Sequence, residues 1–274
     1  MSTVTDTSPA VMAEDRGAVR VLTIHQPAKR NAFTGAMSAA LGRELAEADA
    51  APRVRAIVIT GSAGSFSAGH DMQEMLDDRQ AAEDPDANAV FARPTEMLTP
   101  VIAAVDGPAY GAGFILALSC DLRVASSSAR FCAVGAAIGL VPVGGQLSRL
   151  LDLVSYPVAY HWLATAAPFD AEEAHRHGFV TTVATGTSAL GDAIELAERI
   201  AEMSPAVTAA VKAGLDRTVR RGLDSGREAE FALARLVDEL PDGTEGVGAF
   251  LERRPATYPD PPTDHHDRIR KALP

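Results

Sequence analysis

The chain has 274 residues, 47% of them hydrophobic, with a mean hydropathy of +0.03, which suffices to bury the core of one large domain with at most a small appendage. Twenty-five Lys and Arg against 36 Asp and Glu leave a net charge of −11, which argues against nucleic acid and against an anionic membrane surface as partners. No apolar run approaches a membrane span, the first 15 residues lack the parts of a secretory leader, and Cys120 and Cys132 sit in apolar contexts suited to reduced core thiols, so a cytoplasmic protein is expected.

Residues 1–17 are polar and are expected to be a flexible segment. Residues 18–25 alternate through Val19, Leu22 and Ile24 and stop at Gln26-Pro27, which predicts a first strand. Residues 34–50 place Met37, Leu41 and Leu45 at helical spacing, and residues 54–60 form a second apolar strand closed by Gly61. Strand, helix, strand in that order predicts a crossover in a mainly parallel sheet. A turn at 66–71 leads into a helical start at 70–76, and residues 77–88, rich in Asp, Glu and Ala, read as a surface insertion or mobile loop. A helix over 90–98 precedes the β-branched run 101–105, a buried strand ended by Asp106-Gly107-Pro108. Gly111-Ala112-Gly113 then opens an apolar helix, 121–125 is a further strand, and Arg130-Phe131 begins another. From about residue 147 the pattern is helical, with capping-box spacing at Asp170…Glu173, Ser225…Glu228 and Asp242…Glu245, and an N-cap at Ser204-Pro205. The division predicted is an α/β core over 18–200, a helical region over 201–254, and a Pro-rich polar tail over 255–274 that forms an arm or stays disordered. His265-His266 in that tail reads as decoration rather than a metal site.

The centre of this pattern is the strand at 101–105 with the turn and helix after it. Strand, glycine turn and helix leave peptide N–H groups free at the positive end of the helix, where a phosphate or oxyanion is held by backbone donors. Small residues that let helix and strand pack closely account for the same turn.

Phe66-Ser67-Ala68-Gly69-His70-Asp71 and Pro108-Ala109-Tyr110-Gly111-Ala112-Gly113, with the strand between them, together resemble the crotonase (enoyl-CoA hydratase/isomerase) superfamily, over residues 19–258. The resemblance implies an α/β fold, a crotonase-like ββα spiral core with a C-terminal helical trimerisation region, and a homotrimer or hexamer. It implies an acyl-CoA thioester as the bound partner, coenzyme A entering as part of the substrate, no separate cofactor, no metal, no nucleic acid and no membrane. The peptide N–H groups of His70 and Ala112 are the implied oxyanion donors; a donor of this kind is worth about 3–4 kcal/mol in favourable cases. Lys29, Arg30 and Ala32 match the loop that grips the adenine and phosphates of CoA, and Ala68, Gly69, Asp71, Met72, Gln73 and Gly111 match positions along the same channel. Phe250 to Arg254 resembles a closing segment that reaches CoA, and equally reads as a solvated helix end. His70 has two readings, a peptide donor whose ring only fills space, or a general acid or base. Asp71 reads as a loop-fixing residue.

Three positions depart from the resembled pattern. The two glutamates that position water in the family's hydratases fall on Ile115 and Gly135, and a third acid used by some relatives falls on Val143. General acid–base groups contribute about 10²- to 10⁴-fold each, so standard hydration is expected to be inefficient. Three readings remain open: an enzyme whose proton transfer has moved to His70, Tyr110, Cys132 or the 77–88 segment; a decarboxylase or isomerase that needs chiefly enolate stabilisation; and an acyl-CoA-binding protein without turnover.

Overall fold

A computed structural model describes residues 10–77 and 85–273. Among the described residues nine strands form two sheets. The larger contains β1 (Ala10–Arg16), β2 (Val19–His25), β3 (Ala56–Gly61), β4 (Val101–Val105), β6 (Leu122–Ala125) and β9 (Thr182–Val183), in the order β1-β2-β3-β4-β6-β9. Its neighbours run parallel except β1 against β2. The smaller sheet sets β5 (Pro108–Tyr110) parallel to β7 (Arg130–Cys132), with β8 (Phe169–Asp170) antiparallel beyond it.

The helices are α1 (Gly35–Ala50), α2 (Met72–Asp77), α3 (Pro85–Ala92), α4 (Ala112–Ser119), α5 (Leu150–Leu153), α6 (Tyr156–Thr165), α7 (Ala171–Arg176), α8 (Leu190–Ala201), α9 (Pro205–Arg221), α10 (Leu223–Asp238), α11 (Asp242–Glu252) and α12 (His265–Ala272). Period-two alternation decides which face each strand residue joins. Leu22, Ile24, Ile57, Ile59, Val101 and Ala103 join a core with Met37, Leu41 and Leu45 of α1 and Phe114 and Leu118 of α4. Val19, Val21, Ala56, Val58, Ile102 and Ala104 join Ala193, Ala197 and Ala201 of α8 on the other side. Both faces of the parallel sheet are thereby covered, as continuous apolar strands demand. Each fully buried Leu, Ile or Val contributes about 1.5–3 kcal/mol of transfer free energy. No helix among the described residues is long and apolar enough to cross a membrane.

Five local expectations are corrected. Residues 10–16, expected to be loose, pair residue by residue with β2. Arg20 is 4% exposed within β2, and Asp15 of β1 supplies its counter-charge, with Nε donating to Oδ1 at 2.7 Å and an NH2 nitrogen donating to Oδ2 at 3.1 Å. The helix expected over 90–98 lies earlier, at Pro85–Ala92, because Pro94 cannot continue it and Arg93–Thr95 closes as a 3-10 turn. That helix also occupies the end of the 77–88 segment expected to be a loop, whose residues 78–84 lie outside the described residues.

The Ser225 and Asp242 capping boxes are not caps. Ser225 lies inside α10 and accepts from Arg217 Nε at 2.7 Å, while the buried Asp242 accepts the Ser204 hydroxyl at 2.5 Å and ties α11 to the start of α9. The Asp170 and Ser204 caps do form, accepting from Glu173 N at 2.8 Å and Val207 N at 3.1 Å. Of the two states expected of the tail, an arm or disorder, the structure has an ordered arm. Arg55 donates to the Tyr258 carbonyl at 2.7 Å and to Asp260 at 3.0 Å, and α12 buries Ile269 against Leu98, Ala209, Ala213 and Leu233.

Candidate active site

The site is assembled from three loops, beginning with the one after β2. Pro27–Lys29 makes a 3-10 turn, after which Arg30 (φ 50°) and Asn31 (φ 58°) are both left-handed, a conformation costly for most residues and tolerated best by Asn. The buried Asn31 amide holds that shape. Its Oδ1 accepts from Gln26 N at 2.8 Å, and its Nδ2 donates to the carbonyls of Ser62 at 2.8 Å and Ser65 at 2.6 Å. The basic loop is thereby fixed to the turn after β3.

The 66–71 turn is zipped onto this loop. Ala68 N donates to the Arg30 carbonyl at 2.9 Å, Phe33 N to that of Gly69 at 2.7 Å, and Asp71 N to that of Phe33 at 2.8 Å. Ser67 Oγ donates to the Asn31 carbonyl at 2.7 Å and accepts from Gly69 N at 3.1 Å. With Phe33 bonded to the residues on either side of His70, the His70 N–H is turned away from this loop.

The third loop is the turn between β5 and α4. Ser67 N donates to the Pro108 carbonyl and Tyr110 N to that of Ser67, both at 2.9 Å. The approach is close enough to demand glycine twice. A Cβ on Gly113 would lie 2.6 Å from the Ser67 carbonyl oxygen, and one on Gly69 (φ 102°) would lie 2.9 Å from that of Tyr110 and 3.4 Å from Ala112 N. The glycines of the two sequence motifs therefore exist to bring these turns together. Ala112 is the first residue of α4 and has no acceptor within the helix, and no hydrogen bond among the described residues uses the N–H of either His70 or Ala112. Two free peptide donors beside a positive helix end form an anion-stabilising arrangement.

Charge around the turns is arranged locally. Lys29 pairs with Asp71, whose Oδ1 also accepts from Gln73 N at 3.2 Å. The Lys29 hydrogen bond holds the Asp71 carboxyl below its ordinary range against the opposing effect of burial, so Asp71 is a fixed anion that starts α2. Arg30 is exposed and has no ion pair among the described residues. The half-buried His70 ring lies edge-on to Phe91 at 5.3 Å, and its Nε2 is 3.0 Å from Asn88 Oδ1 on α3. Burial pushes the Tyr110 hydroxyl and the Cys132 thiol up, and the Cys132 Sγ donates to the Ala166 carbonyl at 3.2 Å. Both stay protonated at neutral pH and are poor bases.

The remaining expected positions are placed as follows. Ile115, 3% exposed, lies on the second turn of α4 against the 143–145 turn; a Cβ on Gly144 would come 2.7 Å from its Cγ2. Gly135 leaves no room for a side chain, since a Cβ there would lie 2.7 Å from the Leu140 carbonyl oxygen. Val143 is exposed, and the buried Gln146 donates to its carbonyl at 2.9 Å while Gln146 Oε1 has no partner among the described residues. Ala32 and Gly69 are buried, Ala68 and Gly111 half-buried, and Met72 exposed. Phe250 and Leu251 are exposed at the end of α11, but the Arg254 guanidinium is taken up by Glu245 at 2.6 Å and Glu252 at 2.7 Å. The sequence singled out none of Asn31, Ser67 and Asn88 individually; an Asn in a tight turn, the residue that best tolerates left-handed backbone, and a Ser two before a Gly were the signals available for the first two.

A spiral α/β core with two glycine turns meeting at free peptide donors is the crotonase fold. A family model described as Enoyl-CoA hydratase/isomerase matches residues 14–261, and the chain belongs to that family. It is similar to the 2,3-dehydroadipyl-CoA hydratase of Escherichia coli, at 35% identity over 86% of this chain and 93% of that protein. It is also similar to the short-chain-enoyl-CoA hydratase of Clostridium acetobutylicum, at 32% identity over 89% and 95% respectively. The solved enoyl-CoA hydratase of Mycobacterium tuberculosis superimposes with a TM-score of 0.87 at 31% identity, covering 93% of this chain and all of that one, 100%.

Proposed function

We propose that the protein binds an acyl-CoA thioester, coenzyme A being part of the substrate, and stabilises its enolate through the peptide N–H groups of His70 and Ala112. The observation that carries this reading is the close approach of Gly69 to Tyr110 and Ala112, which sets two unused backbone donors side by side. An oxygen that gains charge between them is stabilised without any cost of reorganising the donors. Arg30, free of ion pairs among the described residues, and Lys29, half-exposed beside Asp71, suit the phosphates of the CoA moiety.

The chemistry proposed is proton transfer next to the thioester carbonyl rather than efficient hydration. The positions that resemble the water-handling acids carry Ile115, Gly135 and Val143, none of which accepts a proton. Ile115 is packed beneath the 143–145 turn, and Gly135 sits where a side chain meets the Leu140 carbonyl. The working form is proposed to be a homotrimer or hexamer, supported by an exposed apolar stripe along α9.

The test is to titrate the protein with saturated, enoyl- and malonyl-CoA thioesters in deuterated buffer, measuring binding by calorimetry and deuterium in the acyl chain by mass spectrometry. Saturable thioester binding with deuterium uptake or a new product, and hydration far slower than either, is the expected result. Failure to bind any CoA thioester removes the proposal, and binding with neither exchange nor product reduces the protein to a carrier.

A further inference from the structure

We propose that His70 carries the proton in this site and that Asn88 positions it, so that the favoured reaction is proton exchange or double-bond migration next to the thioester carbonyl. The inference rests on the proposed thioester site and adds to it the group that moves the proton.

Asn88 Oδ1 faces His70 Nε2 at 3.0 Å, and because an amide oxygen only accepts, this orientation of the amide pairs with the tautomer that carries its hydrogen on Nε2. A neutral imidazole with hydrogen on Nε2 has its lone pair on Nδ1. Nδ1 is the ring nitrogen nearer the main chain, and it has no hydrogen-bond partner among the described residues. The same residue thus offers a peptide N–H free to hold a thioester oxygen and, beside it, an unpaired basic nitrogen. Phe91 meets the ring edge-on at 5.3 Å and is itself packed on Phe33 at 4.8 Å, so Asn88 fixes the tautomer and Phe91 fixes the ring plane. The other candidates are weaker. Tyr110 and Cys132 are pushed towards their protonated forms by burial, Asp71 is occupied by Lys29, and the uncharged Gln146 amide takes no proton.

The step balances without a co-reactant. Nδ1 takes a proton from the carbon next to the thioester carbonyl; the C–H electron pair becomes a C=C bond, and the carbonyl π pair moves onto the oxygen held by the two peptide N–H groups. Once the imidazolium has traded that proton with solvent, delivery to the same carbon is exchange. Return to the far end of a β,γ-unsaturated chain yields the conjugated isomer. One base suffices for either, whereas hydration also needs a group to position water and take its proton.

Three measurements test this on the full-length protein. Imidazole ¹⁵N spectra of the wild type should show His70 protonated at Nε2 with Nδ1 bare; a proton on Nδ1 overturns the proposal without recourse to any variant. His70→Gln keeps the peptide donor and should bind a saturated acyl-CoA with wild-type affinity while losing about 10²- to 10⁴-fold in α-proton exchange. Unchanged exchange in that variant overturns the role of His70 while leaving the thioester site standing. A wild type that binds but does not exchange also overturns it, and one that binds no thioester overturns the site itself. Asn88→Leu should mix the His70 tautomers and slow exchange, and Asn88→Asp, which keeps an acceptor, should restore both. A tautomer indifferent to either change removes Asn88 from the account.

Discussion

At the scale of single residues, the site is defined as much by missing atoms as by side chains. Gly135 illustrates this. A Cβ there would meet the Leu140 carbonyl at 2.7 Å and the Pro142 ring at 3.3 Å, so the backbone between 135 and 142 is closed over an empty position. Overpacking of that kind costs about 1–3 kcal/mol. The double variant Ile115→Glu with Gly135→Glu, which restores the acids the resemblance leads one to expect, should therefore be less stable by urea denaturation and show no gain in hydration of crotonyl-CoA. A stable double variant that hydrates would show the loop to be plastic. Asn31 is the complementary case, a side chain whose four hydrogen bonds hold two left-handed residues. Asn31→Ala leaves buried groups unpaired at about 1–3 kcal/mol each, so a loss of about 2–4 kcal/mol is expected, with weakened thioester affinity. Calorimetric binding and urea midpoints measured on one sample check both effects, and wild-type affinity in a destabilised variant would detach the loop from CoA binding.

At the scale of elements, the chain was legible wherever one face of a strand or helix is buried. The alternation in 18–25 and the spacing of Met37, Leu41 and Leu45 gave β2 and α1 to within a residue or two, because burial writes its period into local sequence. The pairing of the two glycine turns was legible through the motifs. β1 was not, because its residues are mostly exposed and carry no buried period, and the Asp15–Arg20 pair, although only five positions apart, reads in sequence as ordinary surface charge. α12 was missed for a similar reason, since a single buried Ile269 among charged residues has no visible period. Asn88 lay in a stretch read as loop, and its bond to His70 spans 18 positions in the chain. The Arg20–Asp15 clamp makes β1 testable. Hydrogen bonding from Arg20 holds the Asp15 carboxyl down at about 2, below its ordinary value near 4. A carboxyl depressed in the folded state adds stability above its unfolded pKa and loses it as pH falls towards its folded one. Stability should thus fall between about pH 4 and pH 2 in the wild type, and Asp15→Asn should lower neutral stability while flattening that limb. Parallel acid limbs for the two proteins would show that the clamp does not hold β1.

At the scale of the whole molecule, the described surface is unfinished. Met203, Val207, Val211, Leu215, Val219 and Leu223 recur every fourth residue along α9 and its flanks, each between 41% and 72% exposed. Spacing of four makes successive members neighbours along one ridge that winds slowly round α9, about 40° per step, while the buried Ala209, Ala210 and Ala213 pack towards α10 and α12. Scattered exposed apolar residues need no explanation, but a continuous stripe over four turns of helix is what an interface leaves on an isolated chain. Self-association through α9 is the expected consequence, with trimers or their dimers in sedimentation velocity. A glutamate pair, Val211→Glu with Leu215→Glu, places charge in the middle of that stripe. Because these side chains touch little within the chain, the folded protomer should lose no more than about 0.5 kcal/mol. The variant should sediment as a folded monomer, and a lower melting temperature would then measure what assembly contributes to stability. If the wild type is itself monomeric at micromolar concentration, or the variant assembles unchanged, the stripe is not the seam and the oligomer proposed for this chain fails with it.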